Sequence, residues 1–376
     1  MSANNRLYGT WMAILGIVVL IGLYTTYKLF TVGHVLFNTD DVIIWSLPLG
    51  IYIYLALISS GLTILSAFPL VLGIRKYEPF AKRLVFLSIA TLCGAFVSIG
   101  LELGNVFHII YIILSPNLSS PIWWMGAIYS TELVILIVKF GLMHKGEWHS
   151  GFSKFLATAS FILALVAPLM IGSVFGITES RVTYFGPVMS IYCLLMAFMS
   201  GTALFLFYSL IVNKLTGNGA PSELYDGFAL IFTYATAIVV GFTLLKFAIE
   251  SATVVPEFLV YRQFEHAFGA IRGFHTEVLL GLYLPFVLLL FPSIRKSAGG
   301  KIVSSVLILM GTLFMNMEIL LAGQSRPVGP KAEQYPEFIN YFPSIWEFMI
   351  FLFSLFIMLV LYTLGERFLK LTEVPE

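Results

Sequence analysis

Ten predominantly apolar stretches of 20 residues or more follow one another along the chain, separated by short polar breaks. A helix of about 20 apolar residues is long enough to cross the hydrocarbon core of a bilayer. The stretches are 11–33, 43–74, 83–114, 121–143, 152–175, 186–213, 227–252, 269–294, 302–323 and 345–368. This pattern predicts an all-α integral membrane protein of about ten transmembrane helices.

The breaks contain charged residues or the Gly, Pro, Ser and Asn residues typical of turns. Only 253–268 and 324–343 are hydrophilic segments of any size, so we predict a single membrane domain over 1–376. Spans 2–5 and 6–9 resemble each other weakly, since both groups place their polar residues near one membrane side. We therefore expect a first bundle over 34–175, a second over 176–323, and peripheral spans at 11–33 and 345–368.

Composition agrees with a membrane protein and excludes other classes. Of the 376 residues, 59% are hydrophobic and only 11% are charged, too few charges to cover a soluble surface. A net charge of +1 gives no indication of nucleic-acid binding. The two cysteines, Cys93 and Cys193, lie far apart within apolar runs and form no CxxC motif, so we expect no iron–sulfur cluster in this chain.

Lysine and arginine are distributed unevenly between the two sets of alternating loops. One set, which includes both termini, has thirteen of these residues, and the other has four. Because cytoplasmic loops of membrane proteins are enriched in Lys and Arg, we predict a multi-pass protein of the cytoplasmic (inner) membrane with both termini cytoplasmic. The two hydrophilic segments then face outward.

The third apolar run contains Glu102, Asn105 and His108 at i, i+3 and i+6. On one continuous helix these side chains would form a single stripe, with Glu102 near mid-membrane and His108 closer to the outer surface. Ionisable residues inside a membrane are functional candidates by default. We interpret Glu102 and His108 as proton-handling residues. The alternative is that Asn105 and His108 only form interhelical hydrogen bonds.

Further polar and aromatic residues are predicted at the same outer level, namely Asp41, Trp45, Trp123 and Trp124. A quinone head group needs a hydrogen-bonding partner at each carbonyl, apolar walls and a route for protons. Together with Asn105, these side chains satisfy those needs. The alternative for the tryptophans is an interfacial aromatic belt, which needs no ligand.

A second set of intramembrane ionisable residues makes up a predicted proton path. Its members are Glu132, Lys246, Glu250, His275, Glu277 and Glu318, and Lys246 and Glu250 can pair at i, i+4. The alternative is a charge-neutral structural network that holds the second bundle together. Lys139 is expected to extend its ammonium group to the inner surface rather than join this path.

The six histidines do not favour haem. A transmembrane haem pair needs paired histidines at both membrane levels, whereas His144 and His149 occupy an inner loop and the other four are predicted on the outer side. A single outer haem is compatible with these positions. We expect no haem in this chain.

Several local motifs together resemble the NrfD/PsrC-type membrane subunits of respiratory oxidoreductases, especially the ten-span branch with HybB-like, HmcC-like and DsrP-like subunits. The resemblance covers nearly the whole chain. It rests on Asp40–Trp45 with Pro48, Ser59-Ser60-Gly61, Glu102-Leu103-Gly104, Ser120-Pro121 with Trp123, Asn316 with Gly323-Gln324, Tyr341–Glu347 and Leu364-Gly365. Asn105-Val106 and Phe314 depart from that family's usual Arg-Pro and Arg.

The resemblance implies a function. Such subunits hold a quinone near the outer side of the first bundle, with menaquinone expected here, and carry neither haem nor cluster. They exchange electrons with a ferredoxin-like iron–sulfur subunit on the outer face and, through it, with cytochrome c or catalytic subunits of the same complex. Some relatives are thought to couple this chemistry to proton translocation. The expected role is therefore that of a subunit rather than of an enzyme active alone.

Two other functions remain open at this point. A secondary transporter would bind its substrate at mid-membrane, between inverted repeats with broken helices, a pattern that the sequence does not show convincingly. A structural anchor would lack a quinone site altogether.

Overall fold

The computed structural model describes residues 2–179, 185–216, 222–252, 278–325, 327–335 and 339–374. These residues contain nine helices that are long and apolar enough to cross a membrane, and no β-strand. The nine are α1 (Ser2–Val32), α2 (Leu47–Leu70), α3 (Glu78–Glu102), α4 (Pro121–His144), α5 (Gly151–Gly176), α6 (Val188–Thr216), α7 (Ser222–Ala252), α9 (Ala298–Ser325) and α10 (Ile345–Phe368). A shorter apolar helix, α8 (Leu279–Leu290), lies where the eighth span was predicted. The all-α membrane fold is confirmed.

Helix starts follow the local sequence. Proline occupies the first turn of α2, α3 and α4, where its missing N–H costs no intrahelical hydrogen bond. The α10 start is a capping box, in which the Ser344 hydroxyl accepts the N–H of Glu347 and the Glu347 carboxylate accepts that of Ser344. Predicted boundaries at these starts are therefore accurate to a few residues.

The third span ends earlier than predicted. The apolar run continues to residue 114, but α3 stops at Glu102 and Leu103 is extended. The Asn105 side chain then accepts the N–H of Phe107 at 3.1 Å and starts a separate 3-10 turn over Val106–Ile110. The prediction of one helix over 83–114 was wrong. The helix ends early because glycine at 104 and asparagine at 105 disfavour a helix interior.

Helix α2 is the most enclosed span, with 94% of its apolar window buried. It packs against α3, α5, α6 and α9. At its crossing with α6, Gly61 lies against Gly201, and a Cβ on Gly61 would come within 1.9 Å of the Ala197 carbonyl oxygen. Such close contact between backbones requires small residues. Helix α1 packs on α10, which packs on α3; the division into two four-helix bundles stays a prediction.

The two ends of the bundle differ in chemistry. We call the end at which α3 stops and α2 and α4 begin the Glu102 face, and the opposite end the Arg83 face. Ion pairs with buried cations occur at the Arg83 face, where nitrogen–oxygen distances are 2.5 Å for Lys82–Glu373, 2.7 Å for Arg83–Glu366 and 2.5 Å for Lys301–Asp226. Three of the cations behind the orientation prediction thus connect helices or fix the C-terminal tail.

Candidate functional site

The carboxylate of Glu102 is held by the start of α2. Its Oε1 accepts the Ser46 backbone N–H at 3.0 Å, and its Oε2 accepts the Ser46 hydroxyl at 2.6 Å. Ser46 is the residue just before α2, where N–H groups lack helical partners and the helix dipole favours negative charge. The carboxyl group at the end of one span is therefore bound to the residue that starts another. Glu102 is partly buried, so a ligand can still approach it.

Gln324 of α9 fixes the extended residues that precede α2. Its Oε1 accepts the N–H groups of Ile44 at 3.0 Å and Trp45 at 2.8 Å. Its Nε2 donates to the Trp45 carbonyl at 3.2 Å and to Leu320 at 3.0 Å. A single buried amide thus satisfies the backbone groups of Ile44 and Trp45, which lie outside any helix.

Tyr341 and Glu347 complete the same cluster. The Tyr341 hydroxyl accepts the N–H of Leu47 at 2.9 Å and donates to the Glu347 carboxylate. Glu347 has no solvent exposure and also accepts the N–H groups of Asn38 at 3.1 Å and Ser344 at 2.5 Å. Burial, together with the Glu347 charge, raises the pKa of Tyr341 well above its usual value, so the hydroxyl stays a donor.

We call Ser46, Glu102, Gln324, Tyr341 and Glu347 the Glu102 cluster. It joins α2, α3, α9 and α10 at one membrane face. Sequence reasoning gave a role only to Glu102 and noted the last three merely as parts of resembling motifs. The Ser344-x-x-Glu347 capping-box pattern was a signal that could have identified Glu347 as structurally engaged.

Asn105 and His108 do not extend a helical stripe from Glu102. Since α3 ends at Glu102, the prediction of one common face was wrong, and Glu102 lies at the end of its helix rather than near mid-membrane. Asn105 and His108 are exposed, with 3.4 Å between Asn105 Nδ2 and His108 Nε2. The His108 ring meets Tyr111 edge-on, with the ring centroids 5.4 Å apart. Both residues stay predicted ligand contacts on the segment that follows α3.

The aromatic residues of the prediction have structural contacts. The Trp123 indole N–H donates to the Ile112 carbonyl at 2.8 Å, and that of Trp124 donates to Leu118 at 2.9 Å. These two side chains therefore attach the segment after α3 to the start of α4, and their N–H groups are already used. The Trp45 ring packs edge-on against Phe175, with centroids 5.6 Å apart. Asp41 is exposed at the same face.

Glu132 lies near the middle of α4 and has no solvent exposure. Neither carboxyl oxygen has a hydrogen-bond partner among the residues that the structure describes. The Thr63 hydroxyl lies near this carboxyl, and its hydrogen bonds of good geometry are with Ser88 Oγ at 2.6 Å and the Ser59 carbonyl at 3.2 Å. An unpaired buried carboxyl is costly and rare, which marks this position as a candidate for function.

Lys139, two helical turns further along α4, does not reach the surface. The prediction that its ammonium group extends to water was wrong, because the α4–α5 connection covers it and leaves the residue 1% exposed. Its Nζ donates to the Trp148 carbonyl at 3.2 Å and to Ser153 Oγ at 2.6 Å. A buried cation therefore lies on the same helix as the unpaired Glu132.

Only some residues of the predicted proton path belong to the part of the chain that the structure describes. Glu318 is buried on α9, with 7% exposure. The side chains of Lys246 and Glu250, in the last turns of α7, and both His275 and Glu277 lie outside the described residues. Within the described ranges, no group of three or more His, Cys, Asp or Glu side chains is placed to hold a metal ion.

A cavity of about 280 Å³ opens beside the Glu102 face, between the end of α1 and the residues that follow α3. His34 lines it, with its Nε2 atom 3.1 Å from the Leu101 carbonyl oxygen. Sequence reasoning considered His34 only as a haem ligand. Leu101 and Leu103, on either side of Glu102, also line the cavity, which therefore adjoins the end of α3 that carries this carboxylate.

A family model described as "Polysulphide reductase, NrfD" matches residues 34–328. The chain belongs to the NrfD family. The match begins at His34 and includes Ser46, Glu102, Glu132 and Gln324, whereas Tyr341 and Glu347 lie beyond it. The predicted family is confirmed, and with it a multi-pass membrane protein.

Two curated relatives are similar along most of the chain. An Archaeoglobus fulgidus protein, described as an Hdr-like menaquinol oxidoreductase integral membrane subunit, is 23% identical over 338 residues, 85% of this chain and 82% of the relative. A Halobacterium salinarum protein, described as a putative membrane subunit of dimethyl sulfoxide reductase, is 23% identical over 358 residues, 87% of this chain and 80% of the relative. Both descriptions are of membrane subunits.

Proposed function

We propose that this chain is the quinone-reactive membrane subunit of a multi-subunit oxidoreductase, and that it exchanges electrons between the membrane quinone pool and a partner subunit. The observation that carries the proposal is Glu102, a partly buried carboxylate bound to the first turn of α2 at one membrane face. Membership of the NrfD family and a relative described as a menaquinol oxidoreductase subunit support it. Menaquinone is the quinone we expect.

The chemistry requires a proton acceptor at the membrane surface. Oxidation of a quinol to a quinone releases two electrons and two protons, so a site that accepts only electrons would stall. The Glu102 carboxylate supplies an acceptor whose position is fixed by Ser46. We propose His108 as a second proton-handling group, with Asp41, Trp45, Asn105, Trp123 and Trp124 around the quinone.

The exposed surface of the Glu102 face is the basis for proposing a partner subunit. We propose a ferredoxin-like iron–sulfur subunit docked at the Glu102 face as the immediate electron carrier, with cytochrome c or catalytic subunits beyond it. The segment after α3 presents a strongly exposed apolar surface there, in which Phe107 is 77% and Ile113 80% exposed. In this proposal the Glu102 face is the outer side of the cytoplasmic membrane, and both termini are cytoplasmic.

Glu132 is the described residue that best supports proton movement through the membrane. A carboxyl group without a hydrogen-bond partner at mid-membrane is expensive to keep unless it binds and releases protons. We propose it as a proton carrier, with Lys246, Glu250, His275, Glu277 and Glu318 as further members of a path.

The proposal is tested on the purified complex with a short-chain menaquinol as the electron donor. Glu102→Gln keeps the size of the side chain but removes its basicity, so we expect the quinol-dependent rate to fall about 100-fold, the usual effect of removing a general base. His108→Ala should also lower it, and neither should change assembly. Glu147→Gln, at an exposed acid of the Arg83 face, is the matched control.

Three outcomes would overturn parts of this account. A wild-type quinol rate in the Glu102→Gln complex would reject Glu102 as the proton acceptor. A wild-type complex that neither reacts with quinol nor retains quinone at a fixed ratio would favour a structural anchor. Substrate uptake by proteoliposomes that contain this chain alone would favour a transporter.

A further inference from the structure

The cavity beside α1 combines apolar walls with a small number of polar groups. Its volume of about 280 Å³ is close to the lower end of the range typical of small-molecule sites, roughly 300–1,000 Å³. The walls come from Leu29 and Phe30 of α1 and from Leu101, Leu103 and Phe107 at and after the end of α3. Polar groups are contributed by His34 and Asn105. This composition suits a flat ring that has oxygen substituents.

His34 has a defined hydrogen-bonding state. The Leu101 carbonyl can only accept, so the Nε2 atom 3.1 Å from it must carry the ring proton. In neutral histidine this leaves Nδ1 as a lone-pair acceptor. No hydrogen bond joins Nδ1 to any residue within the described ranges, and the ring lines the cavity. A ligand that donates a hydrogen bond would therefore find an oriented acceptor.

The residues around the cavity leave a path to the lipid for the hydrocarbon tail of a ligand. Phe30 is 55% exposed and Tyr27, one turn before it on α1, is 61% exposed, so this side of α1 faces the lipid. The Phe30 ring contacts the Phe107 ring, with centroids 6.0 Å apart. A molecule with its ring in the cavity could extend an apolar chain along α1 into the bilayer.

We propose that this cavity binds the head group of a quinol, with His34 Nδ1 accepting a hydrogen bond from a ring hydroxyl. The inference rests on the proposed function and adds α1 to a site that the sequence placed in spans 2–4 alone. The ring would lie against Leu101 and Leu103, which flank Glu102 in the sequence, whereas the Glu102 carboxyl itself bonds to Ser46 and does not line the cavity. His34 becomes a substrate-contacting residue in addition to its bond with Leu101.

Two substitutions separate the structural bond from the ligand bond. His34→Gln keeps an N–H donor near the Nε2 position for the Leu101 carbonyl but removes the Nδ1 acceptor. His34→Asn keeps an acceptor near the Nδ1 position but cannot reach the Leu101 carbonyl. If the proposal holds, menaquinone-4 in its reduced form binds the His34→Gln complex about tenfold more weakly, whereas thermal stability is retained. His34→Asn should lose stability and keep more of the binding. Equal binding in wild type and His34→Gln would overturn the proposal.

Filling the cavity gives a second test that does not depend on His34. Gly104 lines the cavity, and a Cβ built on it would meet no atom within 4 Å, so a side chain can start at this position; Gly104→Leu is the variant chosen to fill the space. We expect it to abolish labelling of peptides 29–34 and 101–107 by a short-chain azidoquinone and to weaken quinol binding. Val35→Ala, at a neighbouring residue that is 81% exposed, is the control and should bind as wild type.

The outcomes distinguish this inference from the function on which it rests. If Gly104→Leu and His34→Gln bind quinol normally while Glu102→Gln loses quinol oxidation, the cavity proposal fails and the quinone function stands. If the wild-type complex binds no menaquinol-4, the proposed function itself fails. Azidoquinone labelling confined to other peptides would also contradict the cavity site.

Discussion

Glu102 and Glu132 are two carboxyl groups on neighbouring helices in opposite environments. Glu102 ends α3 and receives two hydrogen bonds from Ser46 at the start of α2. Glu132 lies near the middle of α4, fully buried, with neither oxygen bonded to a described residue. The first is a carboxyl group positioned by Ser46 at a membrane face. The second is a buried carboxyl group within a helix, with no hydrogen bond to a described residue.

The difference shows which side chains serve structure and which are free for chemistry. In the Glu102 cluster, Glu347 uses its oxygens on Tyr341, Asn38 and Ser344, and Gln324 uses its amide on the start of α2. The polar atoms of Glu347 and Gln324 are therefore used in hydrogen bonds that hold the fold together. Glu102 is partly exposed, and neither oxygen of Glu132 bonds to a described residue, so these are the two carboxyl groups to which we assign the proposed proton chemistry.

The largest effect is expected from Glu347→Ala, which removes the most fully bonded carboxylate. Three donors would lose their acceptor in a buried site, at a cost of about 3 kcal/mol or more in the free energy of unfolding. Unfolding in mixed detergent micelles measures this change. Glu333→Ala, at an exposed acid before the same helix, is the control. A Glu347→Ala protein as stable as the control would refute the structural role.

Glu132→Leu is expected to act in the opposite direction. Removing a buried carboxyl that has no partner should stabilise the protein by about 1–3 kcal/mol in the same assay. Glu132→Gln keeps two unpaired polar groups and should gain less. A loss of stability in Glu132→Leu comparable with that of Glu347→Ala would mean that Glu132 is bonded after all.

Ser46→Ala, at the Glu102 face, should change stability less than Glu347→Ala or Glu132→Leu. It deletes the hydroxyl that donates to Glu102 at 2.6 Å but leaves the backbone N–H at 3.0 Å. We expect a loss of about 1 kcal/mol in stability and a fall of about fivefold in the quinol-dependent rate. Ser130→Ala, at an exposed residue of α4, provides the comparison. An unchanged rate would show that the Ser46 hydroxyl is not needed to position the Glu102 carboxyl for quinol oxidation.

The smallest effect concerns the Arg83 face. The hydrogen bond and charge of Lys82 hold the pKa of Glu373 below its usual value. A lowered folded-state pKa means that the pair stabilises the C-terminal tail above the ordinary value of 4.5 and loses this effect as the pH falls through the lowered value. Limited proteolysis of the tail should therefore accelerate in acid for wild type. Glu373→Gln should be cleaved faster than wild type at neutral pH, and the difference should vanish in acid as the wild-type carboxyl becomes protonated. A pH-independent wild-type rate would contradict this assignment.

The sequence predicted the helices well and their interruptions less well. Length and apolarity are enough to identify spans, and proline or a capping box locates their starts. The end of α3 at Glu102 was not predicted, because residues 106–114 are as apolar as the helix before them. Apolar composition reports contact with lipid, whereas helix continuity at this point depends on Gly104 and Asn105.

Site residues were predictable only as single residues. The rule that intramembrane charges are functional candidates selected Glu102 and Glu132 one at a time. It could not show that Gln324 bonds to Trp45, because these residues lie far apart in the chain and one sequence shows no contacts between distant positions. Lys139 was misjudged for the same reason, since the loop that covers it follows later.

Proton release per electron, measured in proteoliposomes with Glu102→Gln and Glu132→Gln complexes side by side, tests the division between these two carboxyl groups directly. We expect Glu102→Gln to lose quinol oxidation itself, by about 100-fold. We expect Glu132→Gln to oxidise quinol at nearly the wild-type rate while translocating fewer protons across the membrane per electron. Equal loss of quinol oxidation in both variants, or an unchanged proton ratio in Glu132→Gln, would contradict this division.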